Sequence, residues 1–270
     1  MKNYIYTSIA LLILCVSLFP YRTFSDGGNG SLLGNGLVGY WPFDSADYAN
    51  STNIVDRSGN GNTGNLVGSP TKVNGKIGQA LSFNGTNQSV NMGYILQSLT
   101  GSNFTVSFWA KPSSLLSAGA IPVSDGAYAT CGFYTYDVTG GSYSNTNVWG
   151  MAISGSSIYR IESNTNTATV GVWQLVSFTV SGSTGTVYVN GVNQTVSGSS
   201  AGAGSSCTEQ FFIGQYSSEN DYYFPGSIDD VRIYNRALSA GEINLLYQQG
   251  NGSYTGSFLS EMIEEINSIF

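Results

Sequence analysis

The chain has 270 residues, of which 41% are hydrophobic and 9% charged, and its formal net charge is −7. This length suits one β-rich domain or two small ones and supplies enough apolar material for a sizeable core. Without Lys2 and Arg22, which lie in the N-terminal segment, seven Lys and Arg face sixteen Asp and Glu, so the surface lacks the electrostatic footprint for binding nucleic acid or anionic lipid.

Residues 1–25 have the pattern of an export signal. A mostly apolar run over residues 9–19 follows a lysine and is short for a membrane-spanning helix. Thr23 and Ser25 supply small residues for cleavage at the end of the segment. Three interpretations are open: a cleaved secretory signal, a retained N-terminal anchor, and lipidation at Cys15. All of them predict an extracellular or cell-surface protein.

The mature chain contains two further cysteines, Cys131 and Cys207. An even count in an oxidising compartment predicts one disulfide between them. The alternative is two separately buried thiols, because the sequence does not show how closely the Cα atoms approach.

A Gly/Asn/Ser-rich linker at residues 26–36 precedes a series of short segments with alternating apolar residues. Together with 35 glycines, this pattern is typical of a β-sandwich with tight turns. The predicted strands lie within residues 36–43, 79–85, 89–93, 104–112, 172–180 and 185–196. The second and third of these segments are predicted to pair as a hairpin, and Asn190-Gly191 predicts a two-residue turn within the last.

Two helices are predicted near the C-terminus. In "LSAGEINLLY", Ser239 and Glu242 have the spacing of a capping box. Residues 251–270 are predicted as a linker and an amphipathic helix that packs back on the domain or contacts a partner, and the alternative is a disordered segment. The apolar residues of this helix are Phe258, Leu259, Met262, Ile263, Ile266 and Ile269.

Seven motifs occur in a fixed order along the chain: "GLVGYWPFD", "DRSGNGNTGNL", "GKIGQALSFNGTNQSVNMG", "FTVSFWAKP", "WQLVSFTVSGSTGTVYVNGV", "FFIGQ" and "FPGSIDDVRIYNRALSAGEI". In this order they resemble LamG-like (laminin-G-type, concanavalin A-like) domains over residues 37–250. The resemblance implies a single all-β domain, a two-sheet antiparallel jelly-roll sandwich with a short helix after the last strand. It also implies an extracellular module that binds glycans or proteins, often with a calcium ion.

The chain has no histidine, which excludes Ser-His-Asp and Cys-His catalysis and histidine-ligated zinc. Glucanases with the same sandwich fold use a Glu-x-Asp-x-x-Glu strand. Here Glu219 and Asp221 fit that pattern, but Phe224 stands in place of the second glutamate. Glycoside hydrolysis needs two opposed carboxyl groups, so the sequence predicts a protein that is not an enzyme.

Oxygen-rich residues at two places are predicted to bind structural calcium. The loop "DRSGNGN" contributes Asp56 and Asn60, and Asp44 ends an early strand. In a jelly roll the first and last strands can be neighbours, which would bring these groups to Asp229 and Asp230. The alternative is a chain of Asx turns in the loop, with the Asn and Asp side chains bonded to their own backbone.

Asp229 and Asp230 are adjacent in the predicted last strand. Successive side chains of a strand point to opposite faces, so at most one of them faces inward unless a bulge intervenes. The other is expected to face solvent or to pair with Arg232 or Arg236.

Tyrosines in two separate regions are candidates for contact with a glycan, which needs an exposed aromatic surface beside polar groups. One group, with Asp221, lies in a predicted loop and consists of Tyr216, Tyr222 and Tyr223; the other consists of Tyr134, Tyr136 and Tyr143. The alternative is that these rings pack on the sheets, as is expected of Trp41, Trp109 and Trp173.

The sequence therefore predicts an exported, non-catalytic binding module that recognises carbohydrate or a cell-surface protein. The first alternative is a structural or adhesive surface module without a small ligand. The second is a glycoside hydrolase.

Overall fold

The computed structural model describes residues 32–95, 103–115, 119–125, 132–138, 147–153, 159–198, 209–216 and 222–251. Cys131 and Cys207, residues 1–25 and nearly all of 251–270 lie outside these ranges, so the disulfide, the export signal and the C-terminal helix stay predictions. The described ranges contain no helix with the length and hydrophobicity needed to span a bilayer.

The described residues form two antiparallel sheets and one α-helix, α1 (Ala240–Gly250), after the last strand. This confirms the predicted all-β jelly-roll sandwich. A single 3-10 turn covers Ser45–Asp47. The strands are β1 (Leu37–Trp41), β2 (Asn53–Ile54), β3 (Gly64–Val67), β4 (Thr71–Asn74), β5 (Gln79–Asn84), β6 (Ser89–Asn91), β7 (Asn103–Pro112), β8 (Val123–Asp125), β9 (Phe133–Val138), β10 (Val148–Ile153), β11 (Tyr159–Ser163), β12 (Gln174–Ser181), β13 (Thr184–Val189), β14 (Val192–Asn193), β15 (Thr195–Gly198), β16 (Phe211–Ile213) and β17 (Pro225–Tyr234).

The first sheet has the order β14-β13-β12-β7-β17-β5-β4, with β1 also paired to β17. The second sheet has the order β15-β11-β10-β9-β8-β16-β6-β3-β2. The first and last strands are therefore neighbours, as the sequence predicted. Asn190 and Gly191 both have positive φ (54° and 80°) and join β13 to β14, which confirms that hairpin.

The predicted hairpin of β5 with β6 is wrong. Strand β5 pairs with β4 and β17 in the first sheet, whereas β6 pairs with β3 and β16 in the second. The connection is capped by Asn84, whose Oδ1 accepts hydrogen bonds from the N–H groups of Thr86 and Asn87 (3.0 and 3.2 Å). Such a turn carries the chain from one sheet to the other as readily as it reverses it, so strand periodicity alone does not distinguish the two.

The core lies between the sheets and is built by strand alternation. On β7, Phe104, Val106 and Phe108 point inward, where Phe104 stacks on Phe133 at 5.4 Å between ring centroids. Trp41 is also buried here, in accordance with its predicted packing role.

A second apolar cluster lies on the opposite face of the first sheet, beneath helix α1. Trp109 belongs to it and stacks on Tyr247 of the helix at 5.8 Å between centroids, and Trp173 packs against the same cluster. The hydroxyl groups of Ser107 and Ser177, also buried, bond to each other at 2.7 Å. These hydroxyls therefore satisfy each other without access to solvent.

The start of α1 has the predicted capping box. Ser239 Oγ accepts a hydrogen bond from the Glu242 N–H (3.3 Å), and Glu242 Oε2 accepts one from the Ser239 N–H (2.8 Å). Arg236 donates to the same carboxylate at 2.6 Å. These bonds satisfy orphan N–H groups of the first turn and hold α1 at the end of β17.

We expect Ser239→Ala to lower the free energy of unfolding by about 1 kcal/mol, because the helix loses its N-cap acceptor. Urea denaturation measures this change. Ser181→Ala, at an exposed position that ends β12, is the matched control and should leave the unfolding midpoint within error. Equal midpoints for both variants would contradict a stabilising cap.

Candidate functional site

Two groups of side chains contain several of the predicted site residues. The carboxylate junction consists of Asp44, Asp229 and Asp230, where β17 meets β1 and the turn between β4 and β5. The tyrosine cluster consists of Tyr134, Tyr136, Tyr216 and Tyr222 and lies on the second sheet.

A β-bulge places both aspartates of β17 in the protein interior. The register of β17 against β7 shifts between Asp229 and Arg232, and Asp230 has a positive φ of 50°. The two residues are 0% and 1% exposed. The expectation that one of them faces solvent is therefore wrong, because the bulge breaks the simple alternation on which it was based.

Asp230 forms a buried ion pair. Its Oδ1 lies 3.2 Å from Nη2 of Arg232 and accepts a hydrogen bond from the Tyr40 hydroxyl at 2.6 Å. The guanidinium of Arg232 lies 4.1 Å from the centroid of the Tyr40 ring. This confirms the predicted alternative of a pair with Arg232, and it links β17 to β1 through side chains as well as through the backbone.

Asp229 and Asp44 hold the turn between β4 and β5. Asp229 Oδ2 accepts hydrogen bonds from the backbone N–H groups of Lys76 (2.8 Å) and Ile77 (3.0 Å). Asp44 Oδ1 accepts one from the Gln79 N–H at 2.7 Å. Oδ1 of Asp229 is buried and has no hydrogen-bond partner in the described part of the chain.

The electrostatics of the junction disfavour a full set of ionised carboxylates. Burial, and then the neighbouring carboxyl of Asp230, raise the pKa of Asp229, while the N–H groups of Ile77 and Lys76 oppose the shift. Burial is also the main cause of the raised pKa of Asp44.

The loop with the predicted ligands Asp56 and Asn60 contains one Asx turn, at Asp56, and is otherwise bonded to β1. The Asp56 carboxylate accepts hydrogen bonds from the N–H groups of Tyr40, Ser58 and Asn62 (3.0, 2.8 and 3.0 Å) and from the Ser58 hydroxyl. The side-chain amide of Asn60 donates to backbone carbonyls of β1. The predicted alternative of Asx turns thus holds for Asp56, whereas Asn60 bonds to β1 rather than to its own loop.

The predicted calcium ligands divide accordingly. The Asp56 carboxylate accepts four hydrogen bonds and Asp230 is engaged by Arg232 and Tyr40, whereas Asp229 keeps one buried oxygen without a hydrogen-bond partner in the described ranges and lies near Asp44. No group of three or more Asp, Glu, Cys or His within the described ranges is arranged to hold a metal. Calcium at this place would need backbone and water oxygens in addition to Asp44 and Asp229.

The structure brings the two predicted groups of tyrosines together. Tyr134 lies 6.1 Å from Tyr136 and 5.4 Å from Tyr216 between ring centroids, and Tyr216 lies 6.1 Å from Tyr222. The last two contacts are edge-to-face, a favourable geometry for aromatic pairs. Tyr143 and Asp221 lie outside the described residues.

Exposure differs sharply within the tyrosine cluster. Tyr134, Tyr136 and Tyr216 are buried, so the packing alternative describes them, whereas Tyr222 is 36% exposed and Tyr223 is half-buried. Tyr222 has a positive φ of 53°, which is unfavourable for a bulky residue. Its carbonyl accepts a hydrogen bond from the Ile121 N–H at 3.1 Å, which helps to hold this backbone.

The sequence analysis missed Glu162, which lies at the edge of the cluster. Its Oε1 accepts a hydrogen bond from the Tyr136 hydroxyl at 2.8 Å. Glu162 pairs in register with Gly150, and the Tyr136 ring lies over that glycine, where any side chain would collide with it. A glycine in the interior of a strand was the available signal for such a close approach.

Two further buried carboxyl groups were also missed. Burial raises the pKa of Asp137 to about 8, against the opposing effect of a backbone hydrogen bond from Ala120. Burial, with a smaller effect of Glu209, raises the pKa of Asp125 to about 7. Both lie on strands of the second sheet, in the region that the sequence motifs describe least well.

Comparison with known proteins places the chain in a family. The profile described as the concanavalin A-like lectin/glucanases superfamily (Laminin_G_3) matches residues 84–244, more than half of the chain. No curated protein sequence matches the chain significantly.

Similar solved structures share the fold. Domain 4 of an extracellular GH43 arabinanase from Geobacillus stearothermophilus, solved with arabinotriose, is 24% identical, with a TM-score of 0.62 over 78% of this chain and 98% of that one. The binding domain of Paraclostridial Mosquitocidal Protein 1 is 19% identical (TM-score 0.54, 79% of this chain and 52% of that one). A Trypanosoma rangeli sialidase is 18% identical (TM-score 0.57, 78% and 32%). The chain thus spans about half of the mosquitocidal protein's binding domain and a third of the sialidase.

The raised pKa values predict that the protein is more stable at pH 5 than at pH 8. Unfolded aspartate ionises near 3.8, whereas folded Asp137 and Asp125 keep their protons to about 8 and 7, so the free energy of unfolding falls as the pH rises through this interval. Melting temperatures at the two pH values measure the effect. Asp137→Asn should reduce the difference, and an unchanged pH profile in this variant would contradict the assignment.

Proposed function

Because the chain belongs to the concanavalin A-like lectin/glucanase superfamily, we propose that it is an exported, non-catalytic module that binds carbohydrate through the tyrosine cluster. The observation that carries this proposal is that the ring of Tyr222 is exposed while it packs against the buried Tyr216. Three buried tyrosines support one exposed ring, whose backbone is held in an unfavourable conformation by a contact with Ile121. A fixed, exposed aromatic ring is the surface on which a sugar ring stacks.

The charge of the protein favours a neutral ligand. The net charge is −7, and Glu162 adds a buried carboxylate beside the cluster. An anionic glycan would have to overcome this field with few cations to pair with it. Domain 4 of the arabinanase was solved with the neutral arabinotriose, which makes neutral oligosaccharides the first ligands to test.

The proposal of a binding module rather than an enzyme rests on chemistry. The chain has no histidine, and Phe224 replaces the second glutamate of the glucanase pattern. Phe224 is buried in the core between the sheets, so a side chain at this position does not reach a ligand. A glycoside hydrolase would therefore need a different pair of carboxyl groups.

We expect Tyr222→Ala to weaken binding of neutral oligosaccharides by at least about tenfold, because the exposed stacking surface is lost. Isothermal titration with arabinotriose, and an array of neutral and sialylated glycans for other ligands, measure the effect. Tyr94→Ala is the matched control, since Tyr94 is an exposed tyrosine (57%) outside the cluster. Equal losses in both variants would contradict a site at Tyr222, and a silent array with retained cell-surface association would favour the adhesive alternative.

Calcium is proposed as a structural cofactor of the carboxylate junction, held by Asp44 and Asp229. Since the ligands must lose their protons, calcium should raise the melting temperature more at pH 8 than at pH 5. EDTA should remove the increase, and Asp229→Asn should abolish it. Asp56→Asn is the control that should keep the calcium response, and a melt unaffected by calcium or EDTA would rule out the site.

A further inference from the structure

The tyrosine cluster is joined by a buried hydrogen bond to a residue outside it. Glu162 lies on β11 and is only 2% exposed, and its Oε1 accepts a hydrogen bond from the Tyr136 hydroxyl at 2.8 Å. A side chain so deeply buried does not reach a ligand on the surface of the domain. An effect of Glu162 on binding must therefore act through Tyr136.

Strand β11 is a firm support for this carboxylate. It pairs with β10 on one side and with β15 on the other, and its Ile161 side chain is buried in the core between the sheets. Gly185 of β13 leaves room for Ile161, since a side chain at that glycine would collide with it. Pairing on both edges and packing across the core therefore hold Glu162 in place.

The ring of Tyr136 lies in a space that a glycine provides. In the register of the sheet, Gly150 of β10 has Tyr136 of β9 on one side and Glu162 of β11 on the other. A Cβ atom at Gly150 would lie 2.2 Å from two carbon atoms of the Tyr136 ring and 2.6 Å from its hydroxyl oxygen. Gly150 and Glu162 together thus restrict both the plane of this ring and the direction of its hydroxyl group.

Three ring contacts connect Tyr136 to the exposed ring of Tyr222. Tyr134 and Tyr136 lie two residues apart on β9, so both side chains are on one face of the sheet, with 6.1 Å between ring centroids. Tyr134 meets Tyr216 edge-to-face at 5.4 Å, and Tyr216 meets Tyr222 in the same way at 6.1 Å. Since the first three rings are buried and protein interiors are close-packed, a change at one ring displaces the next.

We propose that Glu162 is a positioning residue of the carbohydrate site, which sets the orientation of the Tyr222 ring through its hydrogen bond to Tyr136. Its effect on ligand affinity rests on the proposed function, whereas the orientation of the ring is a property of the free protein. The backbone of Tyr222 is held separately by the Ile121 N–H. Glu162 therefore acts on the ring rather than on the path of the chain.

Fluorine NMR of the full-length chain labelled with meta-fluorotyrosine tests the orientation without a ligand. The resonance of Tyr222 is the one that Tyr222→Phe removes. We expect Glu162→Ala and Tyr136→Phe to shift or broaden this resonance, because each variant removes the hydrogen bond. Glu162→Gln keeps an acceptor for the Tyr136 hydroxyl and should keep the wild-type resonance. A merely destabilising substitution would not be rescued in this way.

Ligand affinity supplies a second readout. Isothermal titration uses arabinotriose, or the neutral glycan that binds best on the array. We expect Glu162→Ala and Tyr136→Phe to weaken binding about threefold to tenfold, because a ring that is no longer held in advance must be ordered on binding. Tyr234→Phe is the matched control, since Tyr234 is equally buried but belongs to the apolar cluster beneath α1. It should change neither readout.

A further variant perturbs the same ring from the glycine side: Gly150→Ala should shift the Tyr222 resonance as Tyr136→Phe does. A resonance that is unchanged in both Glu162→Ala and Tyr136→Phe would overturn the proposal. Binding that is lost in Tyr222→Ala but complete in Glu162→Ala and Tyr136→Phe would overturn the role of Glu162 in affinity and leave the proposed function standing. If no neutral glycan binds the wild type, the proposed function fails, and the fluorine resonance still decides whether Glu162 orients the ring.

Discussion

The bulge of β17 is the constraint on which the arrangement of the first sheet depends. Along one edge β17 pairs with β7 throughout, whereas along the other it pairs with β5 before the bulge and with β1 after it. One strand therefore needs a point at which its partner changes. At that point the side chains of Asp229 and Asp230 bind the two partner strands, β5 and β1, to β17. Asp229 accepts hydrogen bonds from the turn that leads into β5, and Asp230 accepts one from the Tyr40 hydroxyl of β1.

These hydrogen bonds and the ion pair with Arg232 explain why two adjacent carboxyl groups are tolerated in the interior. A buried charge is costly unless it is paired or hydrogen-bonded. Asp230 is compensated by Arg232, and Asp229 is compensated by two backbone N–H groups, with burial favouring its protonated form. One of the two carboxyl groups is thus stabilised by an ion pair and the other by backbone hydrogen bonds to one of its oxygens.

The sequence predicted the fold well where the signal was local and repeated. Alternation identified β1, β5, β7, β12 and β13. The capping box correctly predicted where α1 begins, and the Asn190-Gly191 turn correctly predicted where β13 ends. It failed where the outcome depended on partners distant in the chain. Nothing local distinguishes a β5–β6 hairpin from a crossover between sheets, and nothing local marks a bulge that buries both Asp229 and Asp230.

The same distinction applies to the candidate sites. The sequence identified the right residue types but not their partners. Tyr134 and Tyr216 lie about eighty positions apart and yet contact each other. Asp56 was expected near Asp229 and instead binds N–H groups of β1 and of its own loop. Burial then distinguishes the exposed residues of each group from those that are packed in the interior. Only Tyr222 of the tyrosine cluster emerges from a packed aromatic group, and a ring fixed by such packing loses little side-chain entropy when it binds. In the proposed binding site, the buried tyrosines would therefore orient one exposed neighbour rather than contact the ligand themselves.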